Sequence, residues 1–351
     1  MTRQDLEKLW AFASYVDPTL RGWEPATSLL HRKYLRAQRY TRRHLFSRMM
    51  RGQPSLFIDF PVRLKQQAHD KRAVLLNAIK SGFSSHALAS VQINSSRCTK
   101  MGVGDLLKRW ERGRSVVGVT DLHFRKTRFE KLIDASALSD FNVLCADPHL
   151  IENLEMMTLV ISSKRNLTDT HTDDCDGSNH CFLGEKLWLC WDRMEGRAKG
   201  FEDLDRDKVK DFARFDLVSF LSLPSSRWFI VKENETLFLP GSLSHKVITL
   251  EDYVGVGSFH VALPGYVRAL RRWILYDTLD VQPGNLLERI NRAVIARIRK
   301  LEKASTPKRE SWGLSYLGPS IERFLKFERR RELNQLLANP IFSRFLEVAT
   351  K

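Results

Sequence analysis

Between residues 156 and 262 the apolar character of the chain is cut into short runs bounded by Gly, Pro, Asn and Asp. Nothing else narrows the available folds as much. The runs 156–162, 186–191, 228–231, 236–239 and 254–262 have strand length and are rich in β-branched and aromatic residues. Strands this short, separated by turn-forming clusters, predict an antiparallel sandwich or barrel. The charged stretch 193–223 reads as an insertion on the rim, with one helix.

On both sides of this region the period changes. Residues 55–60 read as a strand ending at Pro61, 63–80 and 101–112 as helices, 116–119 as a strand, and 129–133 as a further helix. Beyond Pro264, Leu286, Leu287, Ile290, Val294, Ile298 and Leu301 follow helical spacing. Residues 305–309 read as a linker or exposed turn, and 319–337 as a last helix. The expected class is α+β, with a basic helical region over 1–89, a barrel over 90–265 and a helical region over 266–351.

Charge points to partners. Lys and Arg number 57 against 41 Asp and Glu, a net +16, so the surface favours polyanions such as nucleic acid or chromatin over a neutral partner. From His31 to Arg51 there are eight Lys or Arg and no acid, interleaved with Tyr34, Tyr40 and Phe46. Leu35, Leu45, Phe46 and Met49 fall on one helical face. A basic amphipathic helix is expected, either contacting phosphates or packing on the main domain with a solvated outer face.

No apolar run reaches the ~20 residues of a membrane helix. The N-terminus lacks a cationic start followed by an apolar stretch, so no secretory signal is expected; an intracellular protein, nuclear if eukaryotic, is the expectation. The five cysteines Cys98, Cys145, Cys175, Cys181 and Cys190 contain no Cys-x-x-Cys pair, which argues for reduced thiols over a disulfide framework.

The chemistry concentrates in Thr168-Asp169-Thr170-His171-Thr172-Asp173. On an extended strand residues i and i+2 share a face, so His171 and Asp173 are placed to reach one ion. A third ligand must come from a neighbouring strand, and His245, after Phe238-Leu239-Pro240-Gly241, is the best candidate. Two histidines and one carboxylate form the facial set that suits non-haem iron(II), leaving three positions for co-substrate and oxygen. Alternatives remain on the residues alone. His171, Cys175, His180 and Cys181 are close enough in sequence to suggest zinc, without a common zinc spacing. His260 reads as a core or supporting residue. Lys186 lies fifteen residues after His171 at the start of an apolar strand. A 2-oxoglutarate molecule that chelates iron with its keto-acid end needs a cation for its distal carboxylate, and Lys186 with the Thr168 hydroxyl would supply that pair.

With these residues in order, the chain resembles the JmjC-domain iron(II)- and 2-oxoglutarate-dependent oxygenases, nearest to the branch containing histone lysine demethylases of the PHD-finger and F-box types. Thr168, His171 and Asp173 match the family's Thr-x-x-His-x-Asp element. Gly184 and Lys186 match its Gly-x-Lys strand. Pro240, Gly241 and His245 match, loosely, its Pro-x-Gly-x-x-His element, and residues 119–128 are similar to the stretch leading into the barrel. The resemblance covers roughly residues 90–265.

It implies a double-stranded β-helix (a cupin-like jelly roll) with flanking helices, iron(II) held by His171, Asp173 and His245, and 2-oxoglutarate contacted by Thr168, Lys186 and Ser258. It also implies a dioxygenase that converts 2-oxoglutarate to succinate while oxidising a substrate C–H bond. The expected substrate is N-methyl-lysine in a protein such as a histone tail; the alternatives are hydroxylation of a protein side chain or an RNA component, and a non-catalytic chromatin or nucleic-acid binder. Three departures bear on the substrate. Two residues are missing between Asp173 and Lys186, Ser178-Asn179 replaces a Trp-Tyr of the branch, and Ser258 replaces its asparagine.

Overall fold

The computed structural model describes residues 2–16, 27–65, 70–84, 86–94, 98–113, 115–146, 157–201, 216–241, 243–276 and 286–350. Upstream of the expected barrel core lie β1 (Gln38–Arg39), β2 (Ser55–Ile58), β3 (Arg63–Leu64), β4 (Leu88–Ile93), β5 (Thr99–Gly102), β6 (Val117–His123) and β7 (Ile133–Asp134). There follow β8 (Met157–Ser162), β9 (Leu167–His171), β10 (Asp176–Leu183) and β11 (Lys186–Asp192). The last four are β12 (Arg227–Val231), β13 (Thr236–Leu239), β14 (Leu243–Thr249) and β15 (Tyr253–His260).

Two sheets matter. A nine-stranded sheet runs β1-β2-β13-β10-β15-β8-β6-β4-β5, and a four-stranded one runs β12-β11-β14-β9. The pairings are antiparallel except β1 with β2, so the large sheet is mixed. From β8 onward the chain passes repeatedly between the sheets: β8, β10, β13 and β15 join the large one, and β9, β11, β12 and β14 the small one. Helices flank this α+β arrangement, and none among the described residues is long and apolar enough to cross a membrane.

The period-2 alternation of strands decides what faces the space between the sheets. On β11, Leu187, Leu189 and Trp191 pack outward with Leu217, Phe220 and Trp228. The intervening Trp188 and Cys190 pack inward with Val160, Phe229, Leu237, Val247 and Tyr253. Lys186, in step with Trp188, therefore points inward too. A third cluster, from Leu45 to Ala262, covers the outer face of the large sheet and spans the expected boundary at residues 89/90, as does β4. A fourth holds the C-terminal helices together through Ile290, Val294, Ile298, Phe342 and Phe345.

Several local expectations are corrected. The basic run 31–51 is two helices, Thr27–Lys33 and Arg42–Arg51, with β1 between them. The second starts where the Thr41 hydroxyl accepts the His44 N–H, and stops at Gly52 with φ 65°. Within 63–80 the helix begins only at Lys71, capped by Asp70. Residues 101–112 begin as the end of β5, with the helix starting at Val103, and residues 129–133 hold a 3-10 turn rather than an α-helix. Residues 305–309 enter the helix Thr306–Ser311, which has proline in its first turn. The stretch 319–337 divides into Leu317–Phe327 and Arg330–Leu337, and Arg271 pairs with both Glu328 and Glu332 across the break. The described residues of 193–223 hold two helices, Arg193–Arg197 and Leu217–Ser222; 202–215 lie outside the described residues.

Candidate metal centre

His171 ends β9 and His245 sits on β14, and the two are direct Cα partners across the antiparallel pair. Cross-strand partners share a sheet face, so both rings project the same way. Their centroids are 4.1 Å apart. Asp173 lies two residues beyond the end of its strand, in the turn toward β10, rather than on the strand itself. The turn still brings its carboxylate to both histidines, 3.9 Å from His171 Nε2 and 3.9 Å from His245 Nε2. One ligand atom from each residue falls within 4.8 Å of the other two.

The backbone settles which ring nitrogen is offered. His171 Nδ1 lies 2.8 Å from the Asp169 carbonyl and His245 Nδ1 lies 3.3 Å from the Leu243 carbonyl. A carbonyl only accepts, so Nδ1 carries the proton in each ring and Nε2 keeps its lone pair toward Asp173. Two atoms bonded to one ion at about 2.1 Å lie at most ~4.2 Å apart, and both carboxylate–imidazole pairs already meet that limit. The donor set fits a divalent transition metal. Burial, with His171 adding to it, holds the His245 imidazole well below its usual pKa, which keeps it neutral and able to ligate. Burial pushes the Asp173 carboxyl up, while His171 and Arg272 draw it back down.

Thr168 stands three positions before His171, a spacing that puts two residues on opposite faces of a regular strand. Here it does not. On β14 the step from His245 to Val247 is two residues, whereas their partners His171 and Thr168 are three apart on β9. The extra residue is a β-bulge, and it turns both side chains into the space between the sheets. Thr168, His171, Asp173, Lys186, His245 and Ser258 all line one cavity of about 120 Å³.

Lys186 is 3 % exposed. Its Nζ lies 4.3 Å from the centroid of the Tyr253 ring, and among the described residues no carboxylate pairs with it. Burial therefore lowers its pKa to about 7. An ammonium in this position, unmatched by an anion among the described residues and facing a cavity, fits a ligand carboxylate. Gly184 sets its place: with φ 86° and an ideal Cβ only 2.1 Å from the Asp252 carbonyl, the β10–β11 turn accepts no side chain there.

The zinc alternative is not assembled. His180 bonds Thr236 Oγ1 at 2.8 Å and packs edge-on to Phe182, while the adjacent Cys181 joins the cluster between the sheets on the opposite strand face. His260 is a buried core residue, 2.9 Å from Ser178 Oγ and stacked on Phe141. All five cysteines are free thiols.

Three contributors escaped the sequence reading. Trp188 stacks on His245 with centroids 5.3 Å apart, and its buried indole N–H has no partner among the described residues. It stands two residues after Lys186, so strand periodicity alone places it on the same face. Tyr253, which supports Lys186, donates its hydroxyl to Asn179. Arg272, 5 % exposed, donates to the Gly241 carbonyl and, at 3.1 Å, to Asp174 beside the carboxylate ligand. Neither of these two carried a local signal, because each acts from an element remote in sequence. No family model matches the chain, and no curated protein matches it.

Proposed function

We propose that the chain is an iron(II)- and 2-oxoglutarate-dependent oxygenase of the JmjC type, its barrel over residues 90–265 a double-stranded β-helix. The alternation of β8 to β15 between two facing sheets supports the fold. One observation carries the activity: two Nε2 lone pairs and a carboxylate converge on the same small cavity as a buried lysine that has no carboxylate partner among the described residues.

His171, Asp173 and His245 would hold iron(II) through two imidazole nitrogens and a single carboxylate that offsets part of its charge. Lys186 would pair with the distal carboxylate of 2-oxoglutarate, with Thr168 adding a hydroxyl and Ser258 lining the opposite sheet. Trp188 fixes the His245 ring by stacking, and the Nδ1–H bonds to backbone carbonyls hold both ligand tautomers. When bound, iron and 2-oxoglutarate supply decarboxylation to succinate and carbon dioxide coupled to oxidation of a substrate C–H bond by dioxygen.

Demethylation of N-methyl-lysine and hydroxylation share this centre. Hydroxylation is favoured by the arginines beside Asp174, Arg272 bonded to it and Arg193 acting through charge, which oppose the approach of a lysine-rich tail. Aerobic incubation with Fe(II) and 2-oxoglutarate tests the assignment. Wild type is expected to form succinate and Asp173→Ala to form none; equal yields from both would reject the reading. Formaldehyde release from a methylated peptide would restore demethylation.

A further inference from the structure

Beside the metal centre lies a second cavity, of about 400 Å³. Its walls come from the helix Arg42–Arg51, the end of β11 with the short helix Arg193–Arg197, and the helices Tyr266–Tyr276 and Leu317–Phe327. Six guanidinium groups line it (Arg51, Arg193, Arg268, Arg271, Arg272 and Arg323) against two carboxylates, Asp192 and Glu328. Charge of one sign in a concave wall focuses potential and draws counter-ions.

Five of the six arginines fall into two groups. At the base, Arg268 donates to the carbonyls of Met49 and Met50, Arg271 pairs with Glu328 and Glu332, and Arg272 donates to Gly241 and Asp174. These bonds make the floor rigid and offset much of its charge, so the open cations are those at the mouth. At the mouth, Arg51 is exposed and, among the described residues, bonds only Ser47 of its own helix. Arg323, also exposed, lies 5.3 Å from the Phe327 ring centroid. Phe327 itself is 68 % exposed, a large aromatic left in water at the rim of a cationic cleft.

The cleft adjoins the ligands. Arg272 is bonded to Asp174, the neighbour of Asp173, and Asp192 is the Cα partner of Leu243, two residues before His245. We infer that this cleft binds the phosphate backbone of a single-stranded nucleic acid, stacks a base on Phe327, and thereby presents a nucleotide to the metal centre. As a statement about substrate, this rests on the oxygenase reading above. Single strands offer an anion and a π-face on every residue, which is the combination that exposed arginines and an exposed aromatic complement. An acidic peptide would match the arginines but leave Phe327 without a role.

The test uses the full chain without metal, so it stands apart from the iron reading. A labelled mixed-sequence RNA or DNA strand of about twelve nucleotides is titrated by fluorescence anisotropy across about 50–200 mM salt. Wild type should bind with steep salt dependence. The double variant Arg51→Glu/Arg323→Glu should bind at least ~10-fold more weakly, with a log–log salt slope shallower by about 1.4, as loss of two single-strand phosphate contacts requires. Phe327→Ala should lose about 10-fold by loss of stacking.

Arg109→Glu/Arg112→Glu makes the same charge change on a helix beside β4 to β6, at the far edge of the large sheet, and should leave binding within about threefold. Absence of binding, equal loss in both double variants, or displacement by an acidic phosphopeptide as readily as by unlabelled RNA would overturn the inference. If binding holds and the strand fails to stimulate succinate formation by the iron-loaded protein, the cleft is not a substrate site.

Discussion

Replacing Lys186 by methionine is expected to stabilise the ligand-free protein and, in the same variant, to abolish its response to 2-oxoglutarate. Burial lowers the Lys186 pKa from 10.5 to about 7. Below the folded value the native state carries the full penalty of a buried ammonium, on the order of 4–5 kcal/mol by proton linkage. The Tyr253 face returns up to about 2 kcal/mol, leaving a net ~3 kcal/mol. The unfolded chain binds more protons than the native one between about pH 7 and 10.4, so the penalty falls as pH rises through that window.

Methionine keeps most of the apolar stem and volume, so the variant should melt several degrees above wild type at neutral pH, with the gap closing toward about pH 10. Saturating 2-oxoglutarate with Fe(II) under argon should reverse the order. At a thousand times its Kd a ligand adds about 4.1 kcal/mol to wild type, more than the ~3 kcal/mol gap, whereas the variant lacks the cation and should gain almost nothing. Thermal melts across pH, with and without ligand, read both effects. A variant less stable than ligand-free wild type at neutral pH, or equally stabilised by 2-oxoglutarate, would refute the reasoning.

Other consequences are structural. Gly184→Ala, forced to φ 86° and against the Asp252 carbonyl, should cost more than ~2 kcal/mol in urea unfolding. Trp228 is fully buried, donates to the Leu30 carbonyl at 2.9 Å and packs on Tyr34; Trp228→Ala should cost about 4 kcal/mol, with an unchanged midpoint counting against its anchoring role. Asp5 is 1 % exposed. Burial raises its pKa, but the Lys232 hydrogen bond at 2.8 Å and those from Thr2 outweigh burial and leave it lowered. Its contribution is present above the unfolded value of about 3.9 and is lost as pH falls through the lower folded one, so Asp5→Asn should destabilise at neutral pH, and the difference from wild type should shrink as pH falls below about 3.9.

The sequence made the strands with apolar, β-branched runs legible; β13 spans the predicted residues, and β11 and β12 differ by one. It concealed β10, Asp-Gly-Ser-Asn-His-Cys-Phe-Leu, whose polar residues look like a loop. That strand is central, and its polarity is satisfied only through distant partners: His260 for Ser178, Tyr253 for Asn179 and Thr236 for His180. The nearness of His171, Asp173 and His245 was readable from strand logic, although Asp173 arrives by a turn. The bulge that brings Thr168 to the same face was not, because a bulge is defined by its partner strand. Helix breaks at Thr41 and at 328–329 were missed because periodicity runs across them, whereas caps and ion pairs decide them.

The account depends most on iron(II) and 2-oxoglutarate meeting at these three residues. Anaerobic titration of Fe(II) into protein with 2-oxoglutarate measures this directly by the metal-to-ligand charge-transfer band. Wild type is predicted to develop the band and saturate at one iron per chain, while His171→Ala, folded by circular dichroism, develops none. No band in wild type, or the same band in His171→Ala, would contradict the central claim.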